Sequence, residues 1–130
     1  MRQAILSIAA FFLANLAQTP ALTQPPRALE VSIFGIGPAV DFKAVKAVHS
    51  VIGKAVTNGV VDIYITYGYG IEGGMASCIQ LSPHQDNKKL RQLQSELLQI
   101  QPNRATTAYD VKVVAACSQR TGNRGGSPES

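Results

Sequence analysis

Apolar and polar positions alternate with two different periods along residues 28–117, and the period changes in a regular order. Residues 28–36 place Leu29, Val31 and Ile33 at every second position, which is typical of a half-buried strand. The following segment has apolar residues three and four positions apart, which predicts an amphipathic helix. The whole series predicts the order strand, helix, strand, strand, helix, strand.

The first helix is predicted to begin after Asp41, a favourable N-cap, and to end at Asn58-Gly59, whose residues tolerate a left-handed backbone. Its predicted buried stripe consists of Phe42, Val45, Val48, Ile52 and Val56.

The second helix is predicted to begin at Ser82-Pro83, with Ser82 as N-cap and Gln85 completing a capping box. Pro102 is predicted to end it. Its predicted buried stripe consists of Leu90, Leu93, Leu97 and Ile100.

Three further strands are predicted over residues 60–69, 75–81 and 106–117. Two βαβ halves in this order predict an α+β, ferredoxin-like βαββαβ sandwich. Right-handed crossovers then place both helices on one face of a four-stranded antiparallel sheet in the order 4-1-3-2. The other face of the sheet is left open to solvent or to a partner.

The alternation also predicts which side chains lie on this open face. The aromatic residues Phe34 and Tyr64 favour either a recognition surface or ordinary cross-strand packing. Tyr67, Tyr69 and Ile71 in the glycine-rich loop of residues 67–74 form a second candidate binding element. The predicted open-face set is Glu30, Ser32, Phe34, Asp62, Tyr64, Thr66, Cys78, Gln80, Asp110, Lys112 and Val114.

The N-terminus has the three regions of a secretory signal peptide: Met1-Arg2, an apolar run over residues 4–17, and a small polar stretch that favours cleavage after Ala21. The alternative is a retained membrane anchor, although the apolar run is shorter than a spanning helix needs. We therefore expect a secreted or periplasmic chain with no membrane span after residues 1–21 are removed.

Domain boundaries follow from composition. Residues 22–27 are predicted to be a linker, residues 28–117 one small domain, and residues 118–130, which are rich in Gly, Ser and Arg, a disordered tail. The net charge of +4 is scattered along the chain, and Lys88-Lys89-x-Arg91 is interpreted as a solvated helix face rather than a nucleic-acid patch.

Cys78 and Cys117 leave two alternatives open. An oxidising compartment favours a disulfide. The predicted strand order opposes one, because another strand separates the two and two strand spacings approach 10 Å, beyond the roughly 7 Å limit for bridged Cα atoms. We expect either two free thiols or a bridge made beyond the end of a strand.

Signals of catalysis are weak. The GxGxxG match at Gly68–Gly73 precedes a predicted strand instead of the helix that a dinucleotide site requires. His49 and His84 have no partner at metal-ligand spacing, so we expect no metal, no cofactor and no catalytic residue.

The run from Gly74 to Gln85, with Leu90 and Leu93 beyond it, resembles the strand-into-helix segment of subtilisin propeptide-like inhibitors. This chain has Met75 where that family usually has an aromatic residue. The resemblance implies a sheet presented to a protease and a C-terminal segment, near residues 118–123, laid into its cleft.

Together these observations predict an exported, non-catalytic binding domain that uses its open sheet face, or the loop of residues 67–74, for a protein partner or for self-association. The alternative is an inhibitor or chaperone of a serine protease.

Overall fold

The computed structural model describes residues 25–67 and 73–118. The predicted order of elements is confirmed. In chain order the elements are β1 (Ala28–Gly35), α1 (Phe42–Thr57), β2 (Val61–Tyr67), β3 (Gly74–Leu81), α2 (Asn87–Leu98) and β4 (Thr107–Val114).

The four strands form one antiparallel sheet in the order β2-β3-β1-β4, which confirms the predicted topology and the ferredoxin-like arrangement. β1 lies at the centre, where Leu29 faces Ile79 of β3 on one side and Val113 of β4 on the other. Side chains opposite one another in an antiparallel ladder share a face of the sheet. The buried residues Leu29, Val31 and Ile33 therefore define the face that carries the core.

The helices cover that face. Val48 and Ile52 of α1 and Leu90, Leu93 and Leu97 of α2 are buried in one cluster with the sheet residues. The predicted stripe of α2 is confirmed for these three leucines, and Ile100 packs against the cluster while partly buried.

Two members of the predicted α1 stripe lie outside the core. Phe42 is 64% exposed and Val56 is 43% exposed, whereas Ala44 and Ala55 are buried. Small side chains therefore occupy part of the line along which the helix contacts the core. The stripe predicted from the large apolar residues is therefore wrong at its two ends, where the buried side of the helix lies a fraction of a turn away.

The two helices differ in how well their starts were predicted. Asp41 caps α1 as expected, and its carboxylate accepts the Ala44 N–H at 3.1 Å. The Ser82 prediction is wrong: α2 is capped by Asp86, whose carboxylate accepts the Lys89 N–H at 3.0 Å. Ser82 and Gln85 instead close a turn between the strand and the helix, with the Gln85 N–H bonded to the Ser82 carbonyl.

β2 contains the largest error of phase. A register shift between Val61 and Ile63 adds a residue to this strand relative to β3. A β-bulge of this kind reverses which face each later residue occupies. Ile63, Ile65 and Tyr67 consequently lie on the open face, and Tyr64 and Thr66 lie on the face that carries the helices.

Two elements end earlier than predicted. β4 ends at Val114 instead of residue 117, and α2 ends at Leu98, ahead of Pro102. Arg27, in the predicted linker, continues the sheet's hydrogen bonding: its carbonyl accepts the Leu81 N–H at 2.8 Å.

Candidate binding face

Two rows of side chains cross the open face, and each row contains one residue from each of the four strands. The register gives the first row as Tyr67, Ala76, Ser32 and Asp110, and the second as Ile65, Cys78, Glu30 and Lys112. The first row has small residues at its centre, because Ala76 and Ser32 stand between the larger side chains of Tyr67 and Asp110. This difference in size produces a depression in the face.

The depression has a volume of about 170 Å³ and opens to solvent. Its lining combines carboxylates, an ammonium group, hydroxyls and an aromatic ring. The lining residues are Glu30, Val31, Ser32, Tyr67, Ala76, Ser77, Asp110, Lys112 and Ser118.

The charges on the face are exposed and of both signs. Lys112 Nζ lies 3.1 Å from an oxygen of Asp110, two residues away on the same side of β4. Glu30 stands opposite Lys112 across the β1–β4 ladder and is exposed. Exposed pairs such as Asp110–Lys112 contribute little to stability. Their side chains are therefore free to be redirected toward a ligand at small cost.

A short segment after β4, residues 115–118, crosses back over this face, and we call it the strap. The Arg27 N–H donates to the Ala115 carbonyl at 3.2 Å, and the Cys117 N–H donates to Gln80 Oε1 at 2.9 Å. The Tyr67 hydroxyl then donates to the Ser118 carbonyl at 2.8 Å. The strap thus reaches from the β4 edge to the last residue of β2.

Cys78 and Cys117 form a disulfide with Cα atoms 5.7 Å apart. Of the two expected alternatives, the structure has the bridge beyond the end of a strand. The predicted strand order and the outward position of Cys78 are both correct. The two strand spacings do not separate the cysteines, because Cys117 lies beyond β4: the chain leaves the sheet at Val114 and passes over β1.

The strap covers three side chains that point to the open face and would otherwise be exposed to solvent. Ala28 and Cys78 have no exposed surface, and Gln80 is 8% exposed, although all three point to the open face. The part of the face that stays accessible is therefore the half bounded by Glu30, Asp110 and Lys112.

The structure separates the five predicted binding residues. Phe34, half-buried, and Tyr67 both lie on the open face. Tyr64 lies on the opposite face at the edge of the sheet, with 39% of its surface exposed, so its predicted position is wrong. Tyr69 and Ile71 lie outside the described residues.

Sequence reasoning missed Ser118 and Ala76 as members of the face. The composition places Ser118 in the tail, whereas the bridge at Cys117 and the bond from the Tyr67 hydroxyl bring it over the sheet. Ala76 carries no signal by residue type, because its contribution is the space that a larger side chain would fill.

Other chemistry is sparse in the described part of the chain. Within residues 25–67 and 73–118 there is no group of three His, Cys, Asp or Glu side chains placed to hold a metal ion. His49 and His84 are both exposed. Neither described helix is long and apolar enough to cross a membrane.

Comparisons with protein-family models, curated proteins and solved structures gave no match. The function proposed for this α+β domain therefore rests on the chain's own residues and geometry.

Proposed function

We propose that this chain is an extracytoplasmic, non-catalytic binding domain that takes a protein partner on its open sheet face. The observation that carries the proposal is the depression between Tyr67 and Asp110, with its exposed rim of Glu30 and Lys112. A sheet in a rigid fold presents such side chains at fixed spacing, which reduces the entropy lost on binding.

The chemistry of the rim indicates the kind of partner segment. The carboxylates of Glu30 and Asp110 suit a basic side chain, and Lys112 suits a nearby acidic one. The Tyr67 ring offers a flat apolar surface on which a Lys or Arg side chain stacks. A peptide segment that carries a basic residue satisfies these groups together.

The disulfide supports the compartment in the proposal. Disulfides persist in oxidising environments and are rare in the cytosol, so a bridge between Cys78 and Cys117 agrees with the signal peptide predicted for residues 1–21. The bridge also holds one wall of the depression in place.

The test begins with the full chain, produced with its own N-terminal segment and used to capture proteins from the extracytoplasmic fraction of its source. Each captured protein is purified and titrated against three chains: the parent, Glu30→Lys, and Lys46→Glu as a control on the exposed side of α1. We expect Glu30→Lys to raise Kd by about tenfold or more, and Lys46→Glu to leave it unchanged. A Kd that responds only to Lys46→Glu, or the absence of any partner, would overturn the proposal.

A second candidate function is inhibition of a subtilisin-type protease. The observation in its favour is that the chain leaves the described domain at Ser118 on the open face, held there by Tyr67. A protease docked on the sheet would then meet the face and the following residues on one side, as the family resemblance implies.

This second proposal is tested by residual protease activity at increasing molar excess of the chain. A matched chain truncated after Ser118 keeps the strap and removes the segment that would enter the cleft. Inhibition by the full chain but not by the truncated chain supports the proposal. Full protease activity at a large excess of the full chain would refute it.

A further inference from the structure

We propose that the chain forms a two-fold symmetric dimer in which the β2 edges of two copies pair antiparallel and join two sheets into one. This interface uses the edge of the sheet and does not depend on the proposed function of the open face. β2 and β4 are the outer strands, and no described strand pairs with the free side of either.

From Ile63 to Tyr67 the β2 edge lacks two of the usual protections against pairing. Free edges are normally blunted by bulges, charged side chains or Pro, and the bulge of β2 lies before this stretch, between Val61 and Ile63. The stretch itself has no charged side chain and no Pro, and its residues are all β-branched or aromatic. Ile63 is 36% exposed on one face and Tyr64 is 39% exposed on the other. The β4 edge, by contrast, carries the charges of Asp110 and Lys112.

Backbone directions place the free hydrogen-bonding groups at the centre of β2. The Leu81 N–H donates to the carbonyl of Arg27, just before β1, so Leu81 turns its backbone polar groups toward β1. These directions alternate along a strand. The N–H and C=O of Gln80 therefore point toward β2, and those of its partner Ile63 point toward β3. Tyr64, the next residue, directs its N–H and C=O to the free edge.

Tyr64 is also the middle residue of the seven in β2. A two-fold axis at this residue makes Tyr64 a hydrogen-bonded pair with its own copy and sets Ile63, Tyr64 and Ile65 of each copy, all beyond the bulge, against the same three residues of the other. In this register Ile63 faces Ile65 of the second copy, on the same face of the joined sheet. Asp62, the single acidic residue of β2, lies in the bulge two positions from the axis and does not meet another Asp62, so no like charges oppose each other.

This self-complementarity is why a second copy is the proposed occupant. Pairs of Ile with Ile and Tyr with Tyr are among the favourable cross-strand pairs. The bulge at the start of β2 leaves the stretch from Ile63 to Tyr67 in regular register with β3. An isologous contact of this kind closes at two copies, because each copy uses its β2 edge once.

Sedimentation equilibrium of the full chain provides the first test, with two proline variants. The Thr66 N–H points to the free β2 edge by the same alternation, so Thr66→Pro blocks pairing without removing a bond to β3. Thr106, just before β4, directs its carbonyl to the N–H of Ile36, just after β1. By the same alternation Val113 directs its N–H to the free edge of β4. Val113→Pro is therefore the matched control.

We expect the parent and Val113→Pro to sediment as dimers at micromolar concentration, and Thr66→Pro to sediment as a monomer with unchanged circular dichroism. Tyr64→Lys, which sets two ammonium groups against each other at the axis, gives an independent result if Thr66→Pro fails to fold. A monomeric parent, or a dimer lost only in Val113→Pro, would overturn the proposal.

Disulfide trapping tests the register itself. Opposite residues of a hydrogen-bonded antiparallel pair have Cα atoms about 5.5 Å apart, within the range for a disulfide. Tyr64→Cys, treated with oxidised glutathione as the two-electron oxidant, is therefore expected to give a covalent dimer. Thr66→Cys is the control, since its copy lies several residues away along the paired strand. Cross-linking of Thr66→Cys with none of Tyr64→Cys would refute the register.

Discussion

Removal of the bridge between Cys78 and Cys117 is expected to destabilise the domain strongly. The two residues are 39 apart in sequence, so the bridge closes a long loop in the unfolded chain. The chain-entropy relation for a loop of about this length gives about 13 cal/mol/K, or about 4 kcal/mol at 25 °C. Small domains have about 5–15 kcal/mol in total, so this loss is a large fraction of the stability.

Urea denaturation of the parent and of the Cys78→Ala/Cys117→Ala variant measures the effect. We expect the free energy of unfolding to fall by about 4 kcal/mol and the midpoint of thermal unfolding by roughly 15–30 °C. The slope m should rise, because an unbridged unfolded chain exposes more surface. Thiol titration of the denatured, unreduced parent should find no free thiol.

A control separates the cross-link from the strap's other contacts. Gln80→Ala removes the acceptor for the Cys117 N–H but keeps the disulfide, and we expect it to cost about 1–2 kcal/mol. Two thiols in the denatured parent would refute the bridge. A double variant that loses less than Gln80→Ala would refute the loop-entropy argument.

Three further predictions concern the backbone and two ionisable groups, each measured by chemical denaturation. Gly74→Ala should lower the free energy of unfolding by about 2 kcal/mol or more, because Gly74 has φ of +123° and an added Cβ would overlap the Ile33 carbonyl. Gly53→Ala is the control: its added Cβ meets open space in α1, and the variant should be more stable by about 0.5–1 kcal/mol. Hydrogen bonds from two backbone N–H groups lower the pKa of Asp41 below 3.8, so the stabilising effect of its carboxylate is present above pH 3.8 and is lost as pH falls through the lower folded pKa. Asp41→Asn should therefore flatten the dependence of the free energy of unfolding on acid pH. An acid dependence that is unchanged in this variant would contradict the prediction. Burial raises the pKa of Tyr109 to about 12, so the free energy of unfolding should fall as pH rises from about 10 to 12. Tyr109→Phe should remove this fall. The same variant should lose about 1 kcal/mol of stability at neutral pH, because the Tyr109 hydroxyl no longer donates to the Leu97 carbonyl of α2.

Local periodicity predicted much of the fold because it records burial directly. Leu29, Val31 and Ile33 alternate in sequence as they do in the sheet, and Leu90, Leu93 and Leu97 follow one side of α2. Each pattern depends on neighbours in the chain, so residue types were enough. The right-handed crossover rule then fixed the strand order.

The start of α2 shows where local rules compete. Ser82 and Asp86 are both good N-cap residues, and the sequence offers two starts four residues apart. Ser82 is held instead by the residue just before β2, since its N–H donates to the Val60 carbonyl at 3.1 Å. That contact belongs to the packing of strands, which residue preference at a helix end does not include.

The candidate binding face was only partly predictable, for the same reason. Glu30, Phe34, Asp110 and Lys112 were placed correctly, because β1 and β4 keep a regular alternation. Tyr64 was misplaced because a single inserted residue in β2 reverses the phase, and nothing local to 61–63 marks it.

By itself the sequence determined the elements, their order, the antiparallel sheet and most of the core, since these follow from short-range hydrophobic periods and chain handedness. Tertiary structure alone decided the bulge in β2, the path of the strap and the Cys78–Cys117 bridge. These features join residues that are far apart in the chain, and their energies depend on pairing across strands and on space over the sheet. Such terms are set only when the whole domain is assembled.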